Sequence, residues 1–198
     1  MSVTDIPSID LGEHPETRTG LLTATVISIL WVVAVRIGLA PVINDPVNLV
    51  TYVGVIGGIL GAAGMLAVLR WQDLGHSPAT QVWANYLADG EGNPTEYVRQ
   101  GTYLHLLYGA VAGGVYPRLF YLLGIRADLY ATLPWSLAVG IAFGLLAFVV
   151  AMGLVAVGVI EMDVDGQRVG AFLSLHLLYG LVVSAVVGLY VPVLSGVL

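Results

Sequence analysis

His105-Leu106-Leu107-Tyr108-Gly109 and His176-Leu177-Leu178-Tyr179-Gly180 are the same five residues, written twice in a chain of 198. Each copy lies within a long apolar run. At helical spacing each sets an imidazole, a phenol and a glycine on one face. The first face continues through Ala112, Gly113 and Tyr116, the second through Ser184 and Gly188. An arginine precedes each copy (Arg99, Arg168), and a tyrosine and a proline follow it (Tyr116-Pro117; Tyr190 and Pro192). The flanking spacings are not identical, so the match reads as a duplication with some drift.

Composition sets the class. The chain is 58% hydrophobic and 10% charged, against about 25% charged in soluble domains. Several apolar runs approach or exceed the roughly 20 residues a helix needs to cross hydrocarbon. The sequence therefore predicts an all-α, polytopic membrane protein whose surface meets lipid. The absence of cysteine excludes disulfides, thiolate metal sites and thiol nucleophiles. All seven basic residues are arginines, set against thirteen acids that gather in the tail and loops. Acid-rich, lysine-free loops point to salt adaptation, where net charge keeps surfaces soluble; a GC-rich genome also favours arginine. No basic patch exists to neutralise phosphates, so nucleic acid is not an expected partner.

Working outward, residues 1–20 form a polar, acidic tail without the basic region of a signal peptide. The remaining 21–198 read as one transmembrane domain with spans at about 21–40, 47–69, 101–123, 134–160 and 169–194. Gly57 and Gly61 in span two and Gly140 and Gly144 in span four are G-x-x-x-G pairs, which let helices approach closely in lipid. Between spans two and three, Ser77-Pro78 predicts a capped helix over about 78–88, lying at the interface with Trp83 and Tyr86. Asn93-Pro94-Thr95-Glu96 predicts a second start.

Five spans place the termini on opposite sides, and the distribution of arginines favours a cytoplasmic N-terminus. Spans two–three and four–five then form two parallel hairpins, as a duplication requires. Both histidines lie near the same membrane face.

Ionisable residues inside spans are costly and point into the bundle, which makes the two His-Tyr faces the candidate site. His105, Tyr108, Tyr116, His176 and Tyr179 form the expected polar face. Three uses compete. The imidazoles can hydrogen-bond neighbouring helices and fix packing, as in an accessory or structural subunit that pairs with other membrane subunits or with itself. They can relay protons in a small transport protein, with Arg36 or Arg118 holding an anion or simply reaching for the interface. They can also serve as axial ligands of one b-type haem, His105 from one helix and His176 from the other. No catalytic constellation is present and no metal site is assigned. Glu161-x-Asp163-x-Asp165-Gly166 opens like a calcium loop but has Phe172 where the closing acid belongs, and reads as a solvated turn. His14 and His76 receive no role.

The run from Pro78 to Gly114 resembles small membrane proteins of salt-loving archaea. The likeness rests on Val82-Trp83-Ala84-Asn85-Tyr86 followed by Gly101-x-x-Leu104-His105-x-x-Tyr108-Gly109, with span five echoing it. The resemblance implies a membrane location and salt adaptation, and adds no catalytic residue.

Overall fold

The structure is a computed structural model that describes residues 46–72, 74–87, 93–160 and 164–195. The acidic tail, span one at 21–40 with Arg36, His14, and Glu161 and Asp163 of the acidic turn lie outside the described residues. All regular structure among the described residues is helical. α1 is Pro46–Trp71 and α2 is Pro78–Val82, which runs on into a π-helical turn, Trp83–Leu87. A 3-10 turn, Pro94–Tyr97, leads into α3, Val98–Leu122. The short α4, Ala127–Tyr130, precedes α5, Trp135–Ala156, and α6, Gly166–Ser195.

Three of these helices are long and apolar enough to cross a membrane: Asn48–Trp71, Trp135–Ala156 and Gly166–Leu194, with mean hydropathy of 2.1, 2.6 and 2.2. Such helices are compatible with a membrane protein. Five spans were expected, and the coarser result has a physical reason. α3 has 25 residues, about 37 Å of helix, which is long enough to cross. It nevertheless carries Thr102, Tyr103, His105, Tyr108, Tyr116, Pro117 and Arg118, which lower its apolarity.

The helix ends follow from local chemistry. Ser77 caps α2 by accepting from the Thr80 amide, with Pro78 in the first turn. The Asn93 carboxamide accepts from both the amide and the hydroxyl of Thr95. α3 and α5 stop at glycines with positive φ, Gly124 and Gly158. In each case the following amide reaches back five residues, Ile125 to the Phe120 carbonyl and Val159 to that of Leu154, closing a Schellman turn. α5 therefore ends at Ala156, short of the expected 160. The interfacial helix also differs from expectation: only five residues are α-helical before the chain widens into the π turn.

Packing places α1 at the centre. It lies against both α3 and α6, and α6 also carries α5, giving the order α3–α1–α6–α5. In its most apolar stretch α1 is 67% buried, against 28% for α5. Two glycine seams make this possible. A Cβ on Gly54 or Gly58 would run into the backbone of Gly113 or Gly109 on α3. One on Gly57 or Gly61 would meet Val183 or the Tyr179 ring on α6. α5 turns Ile141, Leu145, Val149 and Val150 outward, an aliphatic face that suits lipid and that a soluble monomer rarely exposes.

Candidate functional site

The polar residues of the duplicated motif do not share one environment. His105 and His176 are both buried, and both line a cavity of about 250 Å³ that also touches α1 at Met65 and α5 at Ala151 and Leu154. α3 brings His105 there from its second turn, next to Gly109, whose missing side chain lets α3 seat against Gly58 and Ala62. α6 brings His176 there in the same way, through close contact of its backbone carbonyl with Gly144.

The two imidazoles differ in bonding. His176 Nδ1 donates to the Phe172 carbonyl one turn earlier, at 2.8 Å; because a carbonyl only accepts, this nitrogen carries the proton and Nε2 of the neutral ring is an acceptor. The Phe172 ring stands edge-on to this imidazole, with centroids 4.5 Å apart. His105 Nε2 is buried and has no hydrogen-bond partner. A buried imidazole nitrogen without a partner costs stability, so its place in a cavity wall carries information.

The tyrosines separate more sharply. Tyr108 lines the cavity and is 40% exposed. Tyr179, its counterpart in the second copy, is fully buried and donates to the Gly109 carbonyl at 2.7 Å, tying α6 to α3. Tyr116, expected on the same polar face, belongs to an aromatic cluster at the other end of the bundle. There its ring packs edge-on against Phe120 and Phe143, with centroids 5.2 and 5.1 Å away. Tyr130 joins this cluster from α4; burial, with Tyr121 beside it, raises its phenol above the usual tyrosine range.

Arg118 lies near that same end. Its Nη2 donates to Asn48 Oδ1 at 2.8 Å and its Nε to Thr51 Oγ1 at 3.3 Å. It clips α3 to the start of α1 and does not line the histidine cavity. Asp165 accepts from the Arg168 amide at 2.8 Å and pairs with its guanidinium at 3.4 Å, so this carboxylate caps α6.

A second, larger cavity of about 880 Å³ adjoins the first and shares Leu69, Pro78, Ile160, Phe172 and Leu175 with it. His76, Gln81 and Arg168 edge it. Above it, the Tyr86 hydroxyl donates to the Gly158 carbonyl at 3.1 Å, fastening the π turn to the end of α5. Sequence reasoning missed Phe172, Ala151 and Leu154 as partners of the histidines. Nothing in their spacing singles them out, since each is one apolar residue among many. No protein-family model matches this chain, and no curated protein or solved structure matches it either.

Proposed function

We propose that this is a five-span protein of the cell membrane with a cytoplasmic N-terminus, and that the cavity between His105 and His176 holds a neutral ligand drawn from the bilayer. On this reading it is a ligand-holding accessory subunit. The apolar run 21–40 of the sequence is read as the first span, and α1, α3, α5 and α6 as the others. Inclusion of α3 is supported by how its polar groups are used: Arg118 bonds to α1, and the Thr102 hydroxyl donates to the Val98 carbonyl one turn back. The lysine-free, acid-rich loops support a salt-adapted source, in line with the resemblance to membrane proteins of salt-loving archaea.

A duplication relating α1–α3 to α5–α6 is supported by register. Gly58 packs against Gly109, and Gly140 against Gly180. Gly113 fits against Gly54 and Gly58, and Ser184 against Gly140. Pro117 meets Gly54, and Gly188 meets Ser136. Every pair keeps the same offset as the repeated His-Leu-Leu-Tyr-Gly on the second helix, and one constant offset on the first.

The observation that carries the ligand reading is the His105 ring, 6% exposed, with an unpartnered Nε2, in the wall of a mainly apolar cavity whose other polar groups are the His176 imidazole and the Tyr108 phenol. A purely packing histidine would be expected to have found a partner. Transport is less well supported, because the Tyr116–Phe120–Phe143 cluster fills the opposite end of the bundle. Haem ligation remains the second reading, favoured by two imidazoles from different helices lining one cavity.

The test is purification in mild detergent, followed by a visible spectrum and mass spectrometry of an organic extract, for the wild type and His105→Ala. The expected result is a neutral, lipid-soluble molecule near one per chain, lost from a variant that still folds. A Soret band lost in that variant would establish haem. An empty extract with no band would leave the histidines to packing.

A further inference from the structure

Resting on the ligand-holding reading above, we propose that the cavity takes the ring of a prenylated quinone, its tail leaving between α3 and α5 into lipid. Four observations converge on this class.

The first is charge. Among the described residues no arginine, aspartate or glutamate lines the inner cavity. A carboxylate or phosphate head would be buried there without a counter-charge, at heavy desolvation cost. The occupant is neutral.

The second is the polar inventory. Against aliphatic walls stand two imidazoles, His105 and His176, and the Tyr108 phenol. The His176 tautomer is set by its bond to the Phe172 carbonyl, so its Nε2 accepts. His105 Nε2 has no protein partner, and a phenol both donates and accepts. Such a set serves ring oxygens that accept as carbonyls and donate as hydroxyls, which are the two forms of a quinone head.

The third is size. About 250 Å³ falls just under the roughly 300–1,000 Å³ of sites for drug-sized ligands. A single substituted ring suits this space. A tetrapyrrole requires the helices to part.

The fourth is the way out. Tyr108 on α3 and Leu154 on α5 both line the cavity and are 40% and 38% exposed. They mark the lateral opening. Leu107 and Val111 continue the outer face of α3 as exposed aliphatics along which an isoprenoid chain can lie. The larger adjoining cavity has a polar edge at His76, Gln81 and Arg168 and is a poor route for such a tail.

The experiment uses the full chain in nanodiscs of neutral phospholipid, equilibrated with decylubiquinone. Bound quinone per chain is then measured after separation and extraction. Ala151→Phe fills the cavity from α5 while leaving both imidazoles in place. Leu146→Phe places the same phenyl ring on the exposed face of α5 and serves as control. The wild type and Leu146→Phe should retain close to one quinone per chain, Ala151→Phe at least fivefold less, and His105→Ala should bind about tenfold more weakly, as loss of a buried hydrogen bond predicts. If Ala151→Phe fails to show the wild-type unfolding transition, Ala151→Leu replaces it. Equal retention by the cavity-filled and wild-type proteins would overturn the assignment. So would recovery from native membranes of another neutral molecule that Ala151→Phe excludes, although the ligand-holding reading would then survive; recovery of haem would overturn both. If no molecule is retained in a cavity-dependent way, both fall.

Discussion

Replacing Gly58 with alanine should separate the two central helices. An alanine Cβ there would lie 2.8 Å from the Gly109 carbonyl carbon and 3.0 Å from Gly113 Cα, and closer still to the Gly109 oxygen. Carbon atoms pack best at about 3.5–4.0 Å, so α1 and α3 must move apart by about 1 Å. Because both neighbouring atoms are backbone, no side chain can swing aside. Overpacking of this kind costs about 1–3 kcal/mol, and alanine returns up to about 1 kcal/mol of helix propensity. With the upper end of that range, which an unyielding backbone contact warrants, the net loss is about 2 kcal/mol, roughly a thirtyfold fall in the folded-to-unfolded ratio. Gly64→Ala is the internal control, since a Cβ there meets nothing within 4 Å and only the propensity gain remains. Reversible unfolding of both variants in the same micelles, by steric trapping or a titrated denaturing detergent, measures the difference. Equal stability of Gly58→Ala and Gly64→Ala would refute the close-packed seam, and with it the register of α1 on α3.

Other outcomes follow from the same geometry. Tyr179→Phe removes the bond to the Gly109 carbonyl and should cost about 1 kcal/mol in that assay, while Tyr190→Phe, at the exposed end of α6, should cost nothing measurable. Gly158→Ala forces a side chain into positive φ and should destabilise by about 1 kcal/mol, with faster amide exchange in the Tyr86 turn bonded to that residue; unchanged exchange would uncouple the two. Because the chain has no cysteine, Val149→Cys and Gln167→Cys report on membrane placement directly. A membrane-impermeant maleimide should label Gln167→Cys in open membrane fragments and Val149→Cys only after denaturation, and ready labelling of both would contradict the span assigned to α5. Arg118→Ala should lower stability by less than about 1 kcal/mol, as for other exposed polar contacts, and leave retention of any ligand unchanged; loss of binding would place Arg118 in the site after all.

Several features could be read from the chain because they are local. Asn93 and Ser77 announce helix starts by their side-chain oxygens, and both cap in the structure. The G-x-x-x-G at Gly57 and Gly61 marked a packing seam, which α6 fills. What the spacing could not show is that Gly54 and Gly58 form a second seam, rotated around the same helix toward α3. A glycine records that something comes close and gives no hint of which helix it is. The repeated motif has the same limit. Tyr108 and Tyr179 occupy identical positions in identical pentapeptides, yet one is at the surface and the other in the centre, because α3 ends the row of helices and α6 lies inside it. The π turn over Trp83–Leu87 was hidden by residues that also suit an α-helix. Tyr116 was placed with the histidines by helical periodicity, which fixes angle around the axis and says nothing of depth along it.

The two seams on α1 also bear on how the protein is made. One seam is filled by α3, which leaves the ribosome soon after α1, but the other waits for Val183 and Tyr179 on α6, made after α3 and α5. Until then no other described helix has a residue seated against Gly57 or Gly61. A nascent chain halted after α5 would hold a hairpin of α1 and α3 without the α6 side chains that fill this strip, open to a second nascent chain, an insertase or a quality-control protease. α6, made after α3 and α5, is therefore the helix that completes the packing of α1, and the second seam closes only once α6 has left the ribosome.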